Sequence, residues 1–455
     1  MKKIILPILL FITAQSVFAQ QPQAVLKNFK YRIDNFRSLG LSAYSGGQYE
    51  KRDLAGGTHT GNSFQGGLGG TYYITKSTDR ILLTTLSGLY GSYNKARSED
   101  QSSTVNSRNV SSSPRFSILN KWFSKKMFTE LGADLTGNFF STKTTTTGFN
   151  FPAKDNQTEY AAAVNLGIGT GRLENITDMQ NALWLYKELV KVDRLPANLS
   201  NYDLNELGKS ITKGNNTRVL DARRRTQFLL TTVDNYLQQK GFISKTDMTY
   251  FSNLNDILFF AFNNPRLSGT EKFVRVTPSI RNWNTDQVNA NGLDKYEHDF
   301  TSQSVVFTSG IKRYLPANLV HQNNYGASLK LAYIATDLTD RQFFNGNPAS
   351  ETKGKSEIKQ AGAELFFEHA IYPNTRTVIS FNLQSELGYQ DDGAKGFYTI
   401  SALSCDVNYF ISYHTRFTAS VSAYYQKNNY YIDRYLNLLP NTIQLNASAG
   451  LEISL

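Results

Sequence analysis

Apolar and polar residues alternate with period two along most of this chain, and one internal stretch breaks the rhythm. In the run 127–140, Leu131, Ala133, Leu135, Gly137 and Phe139 share one phase, while Glu130, Asp134, Thr136 and Asn138 fill the other. That is the pattern of a strand with one apolar and one polar face. The run 378–389 repeats it, with Ile379, Phe381, Leu383, Leu387 and Tyr389 set against Ser380, Asn382, Gln384 and Glu386. The chain ends the same way, Ile443, Leu445, Ala447, Ala449, Leu451, Ile453 and Leu455 alternating with Gln444, Asn446, Ser448, Gly450, Glu452 and Ser454. Weaker versions occupy 31–44, where Phe36 breaks phase, and 64–75, 80–94, 112–123 and 160–168. Others lie near 274–281, 304–313, 325–336, 358–370, 397–411 and 417–426. Compact turns near 76–79, 124–126, 315–318, 372–374 and 412–415 contrast with polar stretches at 95–109 and 141–158, which read as long loops. A sandwich has no reason to sort its connections into two lengths, whereas a barrel with one end on each side of a membrane does. The pattern therefore predicts an all-β transmembrane antiparallel β-barrel of about 14 strands, roughly six before the break and eight after it.

The break, 172–269, has helical spacing. Ala182, Leu183, Leu185, Tyr186 and Leu189 form one apolar stripe; Phe228, Leu229, Val233, Tyr236 and Leu237 form a second; Tyr250, Leu254, Ile257 and Leu258 form a third. Thr177 with Gln180 reads as a capping box, Gly241 as a helix end, and Ser244 or Thr246 as the cap of the third stripe. A small α-helical insert of three or four helices thus lies between strands 6 and 7. The chain divides into 1–19, 20–171 (barrel, first part), 172–269 (helical insert) and 270–455 (barrel, second part), with 20–28 a short polar lead-in. If the N-terminus starts in the periplasm, six strands return the chain to that side, and the insert is periplasmic.

Residues 1–19 read as a signal peptide cleaved after about Ala19: Lys2 and Lys3 precede an apolar run, and Val17-Phe18-Ala19 has the small-residue form of a cleavage site. No later run is apolar for long enough to span a bilayer as a helix. Cys405 is the only cysteine, so no internal disulfide supports the fold. Its phase, shared with Leu403 and Val407, makes it a lipid-facing wall residue. The 26 Tyr and 29 Phe suit the aromatic girdles of a barrel. The formal net charge of +11 is spread without a dense basic run, which in an exported chain points away from nucleic acid and towards lipid phosphates, anionic solutes or simply solvated loops.

Little in the chain suggests catalysis. Gly167-x-Gly169-x-Gly171 lies between a strand and a helix, but a dinucleotide loop needs G-x-G-x-x-G in a parallel βαβ unit. His59, His298, His321, His369 and His414 show no metal-ligand spacing. In Arg223-Arg224-Arg225 successive side chains point about 100° apart, and Asp221 is placed to pair with Arg225, the pattern of a solvated helix face. No enzymatic activity, cofactor or metal is expected. The charges phased towards the lumen are the informative set: Glu130, Asp134, Glu364, Glu368, Glu386 and Glu452 of one sign, Arg275, Arg281, Lys312 and Lys330 of the other. Opposed charges create a selective constriction in an open pore; paired with one another, they plug it.

Leader, alternating strands and an apolar-faced last strand together resemble the outer-membrane β-barrels of Gram-negative bacteria, in the broad porin-like sense, over all but 172–269. The stretch Gly167 to Asn175 before a helix is similar to junctions in porin-like proteins with a helical insert. The resemblance implies an outer-membrane location, contact with outer-membrane lipid, and recognition of the last strand by the assembly machinery. In that class the last residue is commonly aromatic; here it is Leu455. It also implies a passive or gated channel for small polar or amphipathic solutes. The alternative is a silent anchor whose periplasmic helices dock a protein partner.

Overall fold

The computed structural model describes residues 20–54, 57–99, 103–149, 151–217, 222–243, 245–259, 265–391, 395–412, 415–428 and 442–453. The leader, Asp221, Ser244, His414 and Leu455, all singled out above, lie outside them.

Among the described residues, fourteen strands form a single antiparallel sheet in which each pairs only with its neighbours in sequence. Before the helices come β1 (Ile33–Leu54), β2 (Gly57–Ser77), β3 (Ile81–Glu99), β4 (Thr104–Ser124), β5 (Met127–Thr146) and β6 (Ala153–Asn175). After them come β7 (Leu267–Val288), β8 (Lys295–Pro316), β9 (His321–Phe344), β10 (Asn347–Asn374), β11 (Thr377–Asp391), β12 (Lys395–Ser412), β13 (Thr415–Asn428) and β14 (Thr442–Ile453). Among the described residues no ladder joins β1 to β14, which are the edges of the sheet. The polar face is concave enough for Lys121 of β4 to reach Glu271 of β7, three strands away. On the other face large apolar side chains stand exposed, among them Leu41, Leu131, Leu329, Leu383, Leu403 and Leu445. Apolar outside and polar within is the build of a transmembrane β-barrel. No helix among the described residues is long and apolar enough to cross a bilayer.

The strands are longer than their apolar runs, which corrects one expectation. The stretches 95–109 and 141–158 are mostly ladder: β3 and β4 pair out to Glu99 and Thr104, and β5 and β6 out to Thr144 and Ala153. Polar residues continue a strand as readily as apolar ones once its backbone is hydrogen-bonded, so the hydrophobic pattern marks the span and not the strand end. One such extension closes on Asn345-Gly346, with φ of +50° and +78°, the left-handed pair that a two-residue hairpin turn requires. The sorting by length survives in another form, as hairpins projecting from the end opposite the helices.

The helices are α1 (Gln20–Asn28), α2 (Thr177–Lys191), α3 (Asn201–Asn216), α4 (Ala222–Gln239) and α5 (Met248–Phe259). Four lie between β6 and β7. The segment expected as a polar lead-in is α1, which inserts Val25 and Leu26, with the following Phe29, into the core the other helices share. That core holds almost all the fully buried apolar side chains, including Met179, Leu185, Leu207, Ile211, Val233, Leu237 and Leu254. The capping expectations fare unevenly. Gly241 does end α4, with φ +67° and a bond from the Phe242 amide to the Leu237 carbonyl. Thr177 lies inside α2 and makes no capping box; Asn175 accepts from the Thr177 amide instead. The cap of α5 is Asp247, whose Oδ1 accepts from the Tyr250 amide at 3.1 Å, and not Thr246.

The wall's phase is directly testable. Leu383 stands 45% exposed on the outer face, while Gln384 beside it donates to Glu364 on the inner one. Leu383→Arg is expected to destabilise the folded barrel by about 2–4 kcal/mol, and Gln384→Arg to leave folding close to wild type. Urea titrations of the two variants in lipid, followed by tryptophan fluorescence, check this; equal midpoints would reverse the assigned faces.

Candidate functional site

The inner wall carries its densest charge cluster near the helix-bearing end. Glu130 of β5 accepts two bonds from Arg275 of β7, Nε to Oε1 at 2.6 Å and Nη2 to Oε2 at 3.0 Å, and lies 3.3 Å from the Lys121 ammonium. Lys121 in turn donates to Glu271 at 2.7 Å. Strand β6 separates β5 from β7, so this contact has to pass over it. The register is Glu130, Gly167, Arg275 across the three strands, and Phe128, Gly169, Phe273 one pair further on. A Cβ at Gly167 would sit 3.3 Å from Glu130 Cβ, and one at Gly169 would sit 2.4 Å from the Phe128 ring and 2.3 Å from the Lys272 carbonyl. The alternating glycines are a slot in the lumen wall through which neighbouring side chains meet, which is what the G-x-G-x-G run is for.

The other lumen candidates are spread around the wall, each with its own partners. Asp134 accepts from Ser117 at 2.6 Å and Asn165 at 3.2 Å. Glu364 accepts from Gln384 at 2.8 Å, Glu368 from Asn324 at 2.7 Å, and Glu386 from the Tyr398 hydroxyl at 2.7 Å. Arg281 pairs with Glu159 at 2.7 Å, and Glu452 with Arg416. Lys312 lies 5.6 Å from the Phe273 ring, and Lys330 is exposed on its strand. Of the predicted set the structure joins Glu130 and Arg275 as an ion pair and sets Glu364 opposite Glu386 as neighbouring like charges. Lys121 and Glu271, both buried, were missed. Alternation fails near the rim, where Leu119 and Phe273 share the inner phase with these charges. The glycine run was the available signal, since residues without side chains mark where others cross.

Across this end of the barrel lie the helices. Within the unit the end of α2 meets the start of α5, and the start of α3 meets the end of α4. There Arg194 pairs with Asp247 at 2.7 Å, and the Tyr236 hydroxyl donates to the Asp203 carbonyl at 3.0 Å. The Arg194 bond and the Tyr250 amide hold the Asp247 carboxyl down at about 2. Arg224 and Arg225 of α4 are exposed, as expected for a solvated face.

Arg266, immediately before β7, fastens this unit to the wall. It is 1% exposed. Its guanidinium donates to Gln322 Oε1 at 2.6 Å and to the carbonyls of Asn318, Leu319 and His321 at 2.6, 2.8 and 3.1 Å, and it stacks 4.7 Å over the Tyr372 ring. Its backbone holds the start of α2: the amide donates to Thr177 Oγ1, and the carbonyl accepts from the Ile176 amide. Burial lowers the guanidinium to about 10, so it remains charged at neutral pH. Elsewhere Arg376, in the β10–β11 turn, pairs with Asp256 of α5. Arg32 pairs with Glu174 and Asp79 at 2.8 Å each, tying the start of β1 and the β2–β3 turn to the end of β6.

Asp178 lies buried between α2 and α3. Burial pushes its carboxyl up to about 6, against the opposing effect of bonds from Thr212 at 2.8 Å and Asn215 at 2.9 Å. A folded value above the unfolded one means that the neutral acid is the form favoured by folding. Its contribution is therefore complete below about pH 4 and lost as pH rises through about 6, a cost on the order of 3 kcal/mol at neutral pH. Asp178→Asn is expected to raise the melting point of the helical signal at pH 7.5 and to do so much less at pH 3.5, as read by circular dichroism. The same gain at both pH values would contradict it.

Breaking the buried pair on the lumen wall is expected to be severe. Arg275→Met leaves Glu130 with only Lys121 and should cost about 3–5 kcal/mol, most of it restored by adding Glu130→Gln. Heat-dependent mobility of the folded barrel on gels checks this. A double variant no better than the single one would show that the two side chains act separately.

No family model matches the chain, and no curated protein matches it in sequence. Among solved structures it is similar to the translocator domain of autotransporter NalP from Neisseria meningitidis, at 9% identity and a TM-score of 0.24, over 86% of this chain and 93% of that one. It is similar to the TodX monoaromatic hydrocarbon channel, in a deltaS2 mutant, at 9% identity and 0.28, over 89% and 86%. It is also similar to the transport unit of the autotransporter AIDA-I from Escherichia coli, at 9% identity and 0.27, over 89% and 97%. These likenesses are distant, and the fold described above stands on the chain's own strand ladders.

Proposed function

We propose that this protein is a gated outer-membrane channel for small polar solutes, its helical unit lying on the periplasmic side as the gate. One observation carries the reading: a polar, charge-lined concave wall faces a compact helical unit fastened to adjacent strand ends at one mouth, by Arg266 at the β8–β9 turn and by the Asp256–Arg376 pair at the β10–β11 turn. A barrel serving only as an anchor needs no such cover. The solutes are polar because the inner wall offers paired charges and hydrogen-bonding groups, and neither catalysis nor a cofactor has a place in this reading. The helices rest on strand ends and keep their own core, so gating works by tilting the unit at the rim.

The second reading is an anchor whose helices dock a periplasmic protein. In its favour, Tyr202 and Met248, at the starts of α3 and α5, stand 66% and 83% exposed.

Single-channel recording in planar bilayers separates the two. Wild type is expected to open rarely, and Arg376→Ala, which frees one side of the unit, to open more often. Silence from both, with a periplasmic protein co-purifying through Tyr202 and Met248, would favour the anchor. For the orientation, in a Cys405→Ala background, a bulky thiol reagent on intact cells should label Ser103→Cys and leave Tyr202→Cys untouched; the reverse pattern would place the helices outside.

A further inference from the structure

Between the helical unit and the wall lies a cleft of about 630 Å³, bounded by α3, the segment leaving α1, the start of β1 and the β2–β3 turn. Nothing described so far uses it. Pockets for small molecules are mostly apolar, but of the side chains lining this one only Ile33 is. Four cations, Lys30, Arg32, Lys209 and Lys213, face two carboxylates, Asp34 and Asp79. Arg32 is committed to Glu174 and Asp79, and Lys209 pairs with Glu206 at the surface. Lys213 has no carboxylate partner among the described residues, and Lys30 makes no ion pair there, acting on Asp79 only at longer range.

The end of α3 would ordinarily bring a negative dipole to such a place. Here two carbonyls of its last turns accept side-chain bonds, Thr212 from Asn216 and Lys213 from Thr217, each at 2.7 Å, and the lysines outweigh the partial charge that remains. The positive balance therefore comes from side chains free to move onto a ligand. Asn205, also in the lining, has a side-chain oxygen with no partner, while Asn28 and Asn35 add further amide groups. Lysines for an anionic group, with amides and hydroxyls for alcohols, are the donor set for a charged sugar.

We propose that this cleft binds a small hydroxyl-bearing anion of the sugar-phosphate or sugar-acid class. The inference rests on the polar-solute channel reading, which it deepens. A solute held here touches both the helical unit and the wall, so occupancy bears on the same joint as Arg266 and Arg376.

Isothermal titration of the detergent-purified full-length protein at low ionic strength tests this, with glucose 6-phosphate, glucuronate, glucose and inorganic phosphate as probes. Glucose 6-phosphate and glucuronate are expected to bind, with glucose and inorganic phosphate each weaker by about tenfold or more. Lys30→Gln with Lys213→Gln, both exposed positions, should weaken glucose 6-phosphate by a similar factor while the helical signal stays unchanged. The proposal is overturned if no probe binds, if glucose or inorganic phosphate binds as tightly as glucose 6-phosphate, or if the double variant binds like wild type. Conductance measured on the same preparations keeps the two readings apart. A silent barrel that binds the anion retains the site and loses the channel; an open channel that binds none does the reverse.

Discussion

Every backbone amide and carbonyl that crosses a bilayer needs a partner within the protein, and this constraint governs the rest of the molecule. It makes each strand answer to two neighbours, which is why the sheet runs through fourteen strands without a crossover. Side chains are then left to sort themselves by face alone, apolar outward and polar inward. The same constraint bears on β1 and β14, whose free edges cannot remain unpaired in lipid and have each other as the natural partner. The helices, which satisfy their own backbones, escape it and gather beyond the strand ends around a core of their own.

Two kinds of cohesion therefore meet in one chain. The wall has almost no buried apolar core and is held by ladders, with charge pairs crossing it at places such as Glu130 and Arg275. The helical unit is held by apolar packing, to which α1 contributes from the other end of the first barrel segment. The joint between them combines the polar contacts of Arg266 and Arg376 with the packing of Leu319 and Val320, in the β8–β9 turn, against the helical core. Polar contacts are specific in geometry and modest in net energy, which suits parts that move against each other.

The existence and order of the strands were legible because lipid on one side and water on the other impose period two along most of the span, residues such as Val306 and Phe366 being departures from it. Strand ends were not, since beyond the lipid a polar residue no longer signals a loop, as 95–109 and 141–158 show. Helix α1 was hidden by its polar composition; only Val25, Leu26 and Phe29 carry its apolar face, too few to stand out. At the site, Glu130 and Arg275 could be read from phase, but their meeting depends on Gly167, an absence of side chain whose purpose appears only in three dimensions. Arg266 was illegible for another reason. Its partners are mainly carbonyls, and a backbone acceptor leaves no mark in sequence.

That choice of partners has a consequence for how the joint responds to its surroundings. Arg376 and Asp256 are partly exposed, so counterions reach the pair and dissolved salt weakens it. Arg266 sits out of reach of counterions, held by fixed dipoles that salt does not screen. As ionic strength rises, the Asp256–Arg376 contact is therefore the one that weakens, while the neighbouring contacts of Arg266 keep their strength.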